Sequence, residues 1–209
     1  MKKGFLFAVL SLLIFFQSTP VSALKYRGDL EGSLGVATSD LIEFSNTFLS
    51  KSVLDFTTSH GIQINKVYVG LGLGLMVLNF DTQDFGAYGY ANQGFSMPFF
   101  VKGRYDFWNS KGINPYVSLK AGYLLGIDSM GEIENTNTGY DEEDKAKGLY
   151  LQPQAGVRFR TGKNTVLSLG ISYNIININR DYYNYRDGNV YNISNSIKGI
   201  LSLTIGFDF

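Results

Sequence analysis

No cysteine occurs among the 209 residues. Disulfides, thiolate metal centres and a lipid-modified cysteine are therefore excluded. Histidine is almost as scarce, with His60 the only one. The 4 prolines are too few for a polyproline region. Charge of one sign is also missing: 18 basic residues balance 18 acidic ones. Without a basic stripe to neutralise phosphates, a nucleic-acid partner is not expected. Nor is there an apolar run of the ~20 residues that a membrane-spanning helix requires. The longest apolar run, 4–16, follows Lys2 and Lys3 and precedes Val21-Ser22-Ala23. Positive start, short apolar middle and small-residue end are the order of a secretory signal. Residues 1–23 are expected to be removed, leaving 24–209 as one domain.

Glycine and aromatic rings are plentiful instead, with 24 Gly, 14 Tyr and 16 Phe. Glycine exceeds its usual ~7% without any collagen-like period. Close-packed β-strands suit that mixture. A two-residue period then runs along the chain, and in a strand it sorts side chains onto opposite faces. From 67 to 78, Val67, Val69, Leu71, Leu73, Leu75 and Val77 oppose Tyr68, Gly70, Gly72, Gly74 and Met76. From 95 to 107, Phe95, Met97, Phe99, Val101, Tyr105 and Phe107 oppose Ser96, Phe100, Lys102, Arg104 and Asp106. The same split marks 26–36, 115–125, 149–159, 167–175 and 197–209. The stretch 48–60 is the least regular member. About eight strands result, each of the ~9–11 or more residues that a tilted strand needs to cross a bilayer. The last ends on Leu203, Ile205, Phe207 and Phe209. An even number of antiparallel strands closes without free edges, so this strand is expected to pair with the first.

Alternation alone does not say which face is outside. Connection lengths argue for apolar-out. Short ones fall at 63–66, 109–114 and 161–164, and longer polar ones at 39–46, 81–94, 128–146 and 177–195. Short turns at one end and long loops at the other are the mark of a membrane barrel. The apolar rows are almost free of charge, as lipid contact demands, and aromatics gather near strand ends. The expected fold is all-β: a closed antiparallel eight-stranded transmembrane β-barrel with both termini on the periplasmic side. A soluble secreted barrel with an apolar cavity is the alternative reading of the same alternation.

The stretches "YRGDLEGSLGVAT", "LDFTTSHGIQINKVYVGLGLGL", "PFFVKGRYDF", "INPYVSLKAGY", "LQPQAGVRF" and "LSLGISYNI" resemble the small outer-membrane β-barrel family of Bacteroidota-type Gram-negative bacteria, itself similar to the OmpX and OmpA barrels. The resemblance implies residence in the cell outer membrane, among outer-membrane lipid and lipopolysaccharide. It also implies that Leu203, Ile205, Phe207 and Phe209 act as a signal read by the barrel assembly machinery. It implies no single biochemical activity.

The inward face should carry Arg27, Asp29, Glu31, Asp55, Lys102, Arg104, Asp106, Lys120, Arg158, Lys198 and Asp208. Eight strands leave an interior only wide enough for side chains. Charges of both signs in that space must pair, giving a salt-bridged plug rather than a pore. Glycines 70, 72 and 74 would make room for long Arg, Lys and Tyr side chains. The loop 177–195, with Arg180, Tyr182, Tyr183, Tyr185, Arg186 and Tyr191, has the Tyr and Arg content of a recognition surface. An extracellular partner is expected there and at the other long loops. The acidic loop 128–146 fits no calcium-loop spacing, and Asp128-Ser129-Met130 matches a three-residue glycosylation pattern. Arg27-Gly28-Asp29 spells an adhesion tripeptide, but inside a strand no receptor could grip it. His60 is the one candidate base for a lipid-modifying enzyme, and its neighbour Ser59 points to the opposite face. No catalysis, metal or cofactor is expected.

Overall fold

The computed structural model of the protein describes residues 24–38, 52–80, 92–108, 112–127, 131–135, 140–162, 165–184 and 189–209. At 80, 92–93, 131–135, 140–145, 180–184 and 189–196 it describes the backbone alone. The expected signal 1–23 and the expected loop 39–46 lie outside these residues, as does Asp128-Ser129-Met130.

The described elements are β1 (Leu24–Ala37), β2 (Ser52–Ile64), β3 (Val67–Phe80), β4 (Asn92–Asp106), β5 (Ile113–Gly126), β6 (Gly131–Asn135), β7 (Tyr140–Arg160), β8 (Val166–Asn184) and β9 (Asn189–Asp208). All pairings are antiparallel, running β5-β4-β3-β2-β1-β9-β8-β7, and β5 pairs with β7 to close the ring. Eight strands form the barrel. Among the described residues β6 pairs only with the outer part of β7.

The final strand meets the first, from Asp29↔Asp208 to Ala37↔Ile200. Phe209 completes the seam: its N–H donates to the Gly28 carbonyl at 2.9 Å, and the Gly28 N–H donates to the Phe209 carbonyl at 3.0 Å. The Phe209 ring lies over Gly28, where a Cβ would stand 2.6 Å from it and oblige the ring to shift.

The alternating rows face as expected. Leu71 is 70% exposed and Leu203 69%, and Leu30, Leu34, Phe56, Ile171 and Ile205 stand out beside them. In water such a continuous apolar wall would be a liability. Facing hydrocarbon it satisfies every backbone group within the closed ladder. A soluble barrel would turn these rows inward, so that alternative fails on the placement of Leu, Val and Phe.

Two expected loops are mostly strand. The range 128–146 contains β6 and the first turnless stretch of β7, and 177–195 contains the ends of β8 and β9. β8 and β9 stay paired out to Asn184↔Asn189. Beyond the hydrocarbon both faces meet water, so side chains stop alternating while the backbone ladder continues. Of the expected strand 48–60, residues 52–60 lie in β2, which continues to Ile64, and 48–51 lie outside the described residues. The turn from β2 to β3 is made by Asn65 and Lys66, with Asn65 at a φ of 53°, a region asparagine tolerates.

Candidate functional site

The barrel interior is the place where chemistry-bearing residues converge. β1, β2, β4, β5, β7 and β9 each send alternate residues into it, as the period of two dictates. Asp29, Glu31, Asp55, Lys102, Arg104, Asp106, Lys120, Arg158 and Asp208 are all nearly fully buried there. Arg27 is half-buried near the short-turn rim, two positions before Asp29 on β1. Lys198 is half-buried on β9, opposite Ile176, and does not join the ion pairs formed among the described residues.

Eight of these groups form one continuous chain of ion pairs. Lys120 Nζ lies 2.9 Å from Glu31 Oε2, and Lys102 Nζ lies 2.9 Å from Glu31 Oε1 and 2.6 Å from Asp29 Oδ2. Arg104 follows, with one guanidinium nitrogen 3.6 Å from Asp29 Oδ2 and another 2.8 Å from Asp208 Oδ2. Arg158 closes the series between Asp106, at 2.5 Å, and Asp208. Four cations therefore meet four carboxylates: Asp29, Glu31, Asp106 and Asp208. Charges taken from water need both close opposite charges and further hydrogen bonds. The further bonds are present. Ser59 donates to Asp29 Oδ1 at 2.8 Å, Gln63 to Asp106 at 3.2 Å, and Lys120 to Thr57 Oγ1 at 2.6 Å. The Arg104 guanidinium also sits 4.8 Å from the Tyr68 ring centroid.

This ionic chain fills only the half of the lumen nearer the short turns. The expectation of a polar interior throughout needs correction. Toward the long-loop end the buried apolar residues Val53, Met76, Leu78, Phe100, Leu124, Ala146, Tyr150, Ile176, Ile178 and Ile200 pack as one cluster, with Ser96 buried beside them and bonded to the Ala146 carbonyl. Phe100 and Tyr150 are the cluster's central rings, with centroids 6.0 Å apart. Glycines make room for rings, not for lysine or arginine stems: the Phe100 ring lies over Gly72, and the Tyr68 hydroxyl lies over Gly70.

Between the halves runs a band of neutral polar groups. The Gln152 amide donates to Ser172 Oγ at 3.2 Å, and Ser172 meets Thr204 at 3.0 Å. Asn174 donates to Ser202 at 3.1 Å. Asp55 belongs to this band and makes no ion pair among the described residues. Above the band, β7 carries a bulge between Ala146 and Tyr150, with Gly148 at a φ of +115°. That positive φ is glycine's own territory. Tyr150 enters the lumen four residues after Ala146, although their partners on β8, Ile176 and Ile178, are only two apart.

His60 points away from this interior, onto the apolar wall. Its ring stacks on Tyr26 and meets Phe209 edge-on, both with centroids 6.2 Å apart. The Tyr26 hydroxyl lies 2.6 Å from Nδ1 and Thr58 Oγ1 lies 3.4 Å from Nε2. The Thr58 hydroxyl donates to the Asp29 carbonyl at 3.0 Å. Tyr26 then donates to Nδ1, and Nε2–H points to Thr58, so neither nitrogen is free to take a proton from a nucleophile. Ser59 is inside the lumen, bonded to Asp29 and Tyr68.

Of the residues expected to form a recognition surface, Arg180, Tyr182, Tyr183 and Tyr191 lie on the outer parts of β8 and β9. Arg180 pairs with Ser194, Tyr182 with Tyr191 and Tyr183 with Val190, around a bulge that leaves Ile193 unopposed. Tyr185 and Arg186 lie outside the described residues. Leu203, Ile205, Phe207 and Phe209 stand in one exposed row on β9 and at its end.

No protein-family model and no curated protein matches the sequence. Solved structures do match. Neisserial surface protein A is 15% identical, with a TM-score of 0.50 over 88% of this chain and 97% of its own. The outer membrane protein OprG from Pseudomonas aeruginosa is 10% identical, with a TM-score of 0.57 over 88% of this chain and 95% of its own. The fold is thus the closed eight-stranded barrel of small outer-membrane proteins.

Proposed function

We propose that the chain is an integral outer-membrane barrel whose lumen is closed to solutes and whose work is done at its long-loop end. The observation that carries this reading is the double filling of the interior. Four ion-paired cations and four carboxylates occupy one half of the lumen, and an apolar cluster occupies the other. A solute would have to break a buried salt-bridge chain and then cross a dry constriction. Selective pores instead line an open path with charge.

The apolar outer wall supports membrane residence, and the short-turn end is assigned to the periplasm together with both termini. The row Leu203, Ile205, Phe207 and Phe209 is the assembly signal in this reading, exposed until neighbouring lipid covers it. The extended β8–β9 hairpin, with Arg180, Tyr182, Tyr183, Tyr185, Arg186 and Tyr191, is the surface offered to lipopolysaccharide or to an extracellular partner. Its role is structural or adhesive, without catalysis. The engaged nitrogens of His60 support that last point.

Planar-bilayer recording tests closure directly. The purified barrel should insert without sustained conductance steps at neutral pH. Reproducible open steps at neutral pH would overturn the closed-lumen reading.

A further inference from the structure

Asp55 is the fifth fully buried carboxylate in a lumen whose four buried cations are already matched by the other four. Its side chain is 1% exposed. Among the described residues Oδ1 has no hydrogen-bond partner, and Oδ2 has only distant ones: Ser33 Oγ at 3.5 Å and the Tyr150 hydroxyl at 3.4 Å. The charged groups that face it are Lys120 from β5 and Glu31 from β1, which are bonded to each other. β3 offers it Met76, directly opposite in register. Arg27 stands six residues along β1 from Ser33, the residue opposite Asp55, about 20 Å at ~3.3 Å per residue. An ionised carboxylate in that setting is too costly to keep, and such groups neutralise.

A second observation points the same way. Tyr150 has one hydroxyl hydrogen but two oxygen neighbours that only accept, Asp55 Oδ2 at 3.4 Å and Gln152 Oε1 at 3.1 Å. The Gln152 amide nitrogen is turned to Ser172, so Oε1 is the atom facing Tyr150. With the Gln152 amide in this orientation, one hydrogen cannot serve both acceptors. A proton on Asp55 resolves the conflict: Asp55 donates to the Tyr150 oxygen, and Tyr150 donates to Gln152 Oε1.

We propose that Asp55 is a proton-binding site at the junction of the ionic and apolar halves of the lumen, and that the bound proton holds the apolar cap in place through Tyr150. Loss of the proton leaves a bare charge beneath Phe100 and Tyr150, and the cap loosens. The opening step rests on the closed-lumen reading; the proton itself does not.

The experiment uses the full-length mature barrel in lipid vesicles. Infrared difference spectra of wild type against Asp55→Asn should contain a protonated-carboxyl carbonyl band at pH 7, shifted in heavy water and absent from the variant. Its absence from wild type at pH 7 would overturn the assignment. So would a wild-type thermal stability that collapses when sodium and potassium are replaced by choline, since an alkali cation would then be the occupant. In nuclear magnetic resonance spectra the Phe100 ring signals should be sharp in wild type at pH 7 and broaden at alkaline pH as the cap loosens, while in Asp55→Asn they stay sharp at both. Unbroadened wild-type signals at alkaline pH, with the band lost, would overturn the opening step. Planar-bilayer conductance at pH 7 with the band intact would instead refute the closed lumen and leave the proton site standing.

Discussion

Lys102 shows how much one residue holds together. Its ammonium is wholly buried between Asp29 and Glu31, at 2.6 and 2.9 Å. It reaches them from β4, three strands away from β1 around the ring. Lys102→Met fills most of the volume but leaves Glu31 with Lys120 alone and Asp29 with the longer contact to Arg104. Breaking a buried pair by removing one partner costs ~3–5 kcal/mol. Urea unfolding in vesicles should report a loss of that order, and Glu31→Gln added to Lys102→Met should recover part of it. The sequence placed these charges on the inward face, because a period of two fixes the face. It could not pair them. Partners across a lumen depend on strand stagger and tilt, which no spacing along one strand encodes. The apolar half was hidden for a different reason. Met76-Val77-Leu78, Phe99-Phe100-Val101 and Leu124-Leu125 are apolar at both parities, so inward and outward rows look alike there. The readable sign was the run itself: wherever alternation gives way to continuous apolar residues at the long-loop end, both sides of the wall are dry.

At the scale of strands, glycines separate tight joints from loose ones. A Cβ on Gly122 of β5 would collide with the Phe99 carbonyl and the Phe100 Cα on β4. These are backbone atoms, and they cannot rotate aside. On β4 itself, Gly103 faces outward with nothing within 4 Å of its Cβ position. Gly122→Ala should therefore destabilise by ~1–3 kcal/mol, the usual cost of overpacking. Gly103→Ala should be neutral or stabilise by ~0.4–1 kcal/mol, since it removes freedom only from the unfolded chain. The fraction of folded, fast-migrating barrel on an unheated gel after a urea series would measure both. Equal effects would mean that the β4–β5 approach is not as close as the backbone indicates. Strand ends illustrate the limit of sequence patterning at this scale. In the outer parts of β7, β8 and β9, Asn, Asp and Tyr do not alternate with aliphatic residues, so the sequence pattern there is that of loops. The ladder persists because backbone pairing needs no apolar face once water bathes both sides.

Orientation belongs to the molecule as a whole. Short connections, at Asn65-Lys66 and between Arg160 and Val166, gather at the end where Phe209 closes the seam. The opposite end carries the β8–β9 hairpin and the β6–β7 pairing, which extend past the last β1–β9 contact at Ala37↔Ile200. A barrel inserted from the periplasm must thread one of these ends through the bilayer, and long polar segments end up outside. The native chain has no cysteine, so single introduced thiols are unambiguous reporters. Asp187→Cys, beside the β8–β9 tip, should react with a membrane-impermeant maleimide on intact cells. Lys66→Cys, in the two-residue turn, should react only after the outer membrane is permeabilised. Labelling of Lys66→Cys on intact cells, with Asp187→Cys protected, would invert the molecule. The Tyr- and Arg-rich hairpin would then face the periplasm, and the surface role would fall while the closed-lumen reading, which does not depend on orientation, would remain.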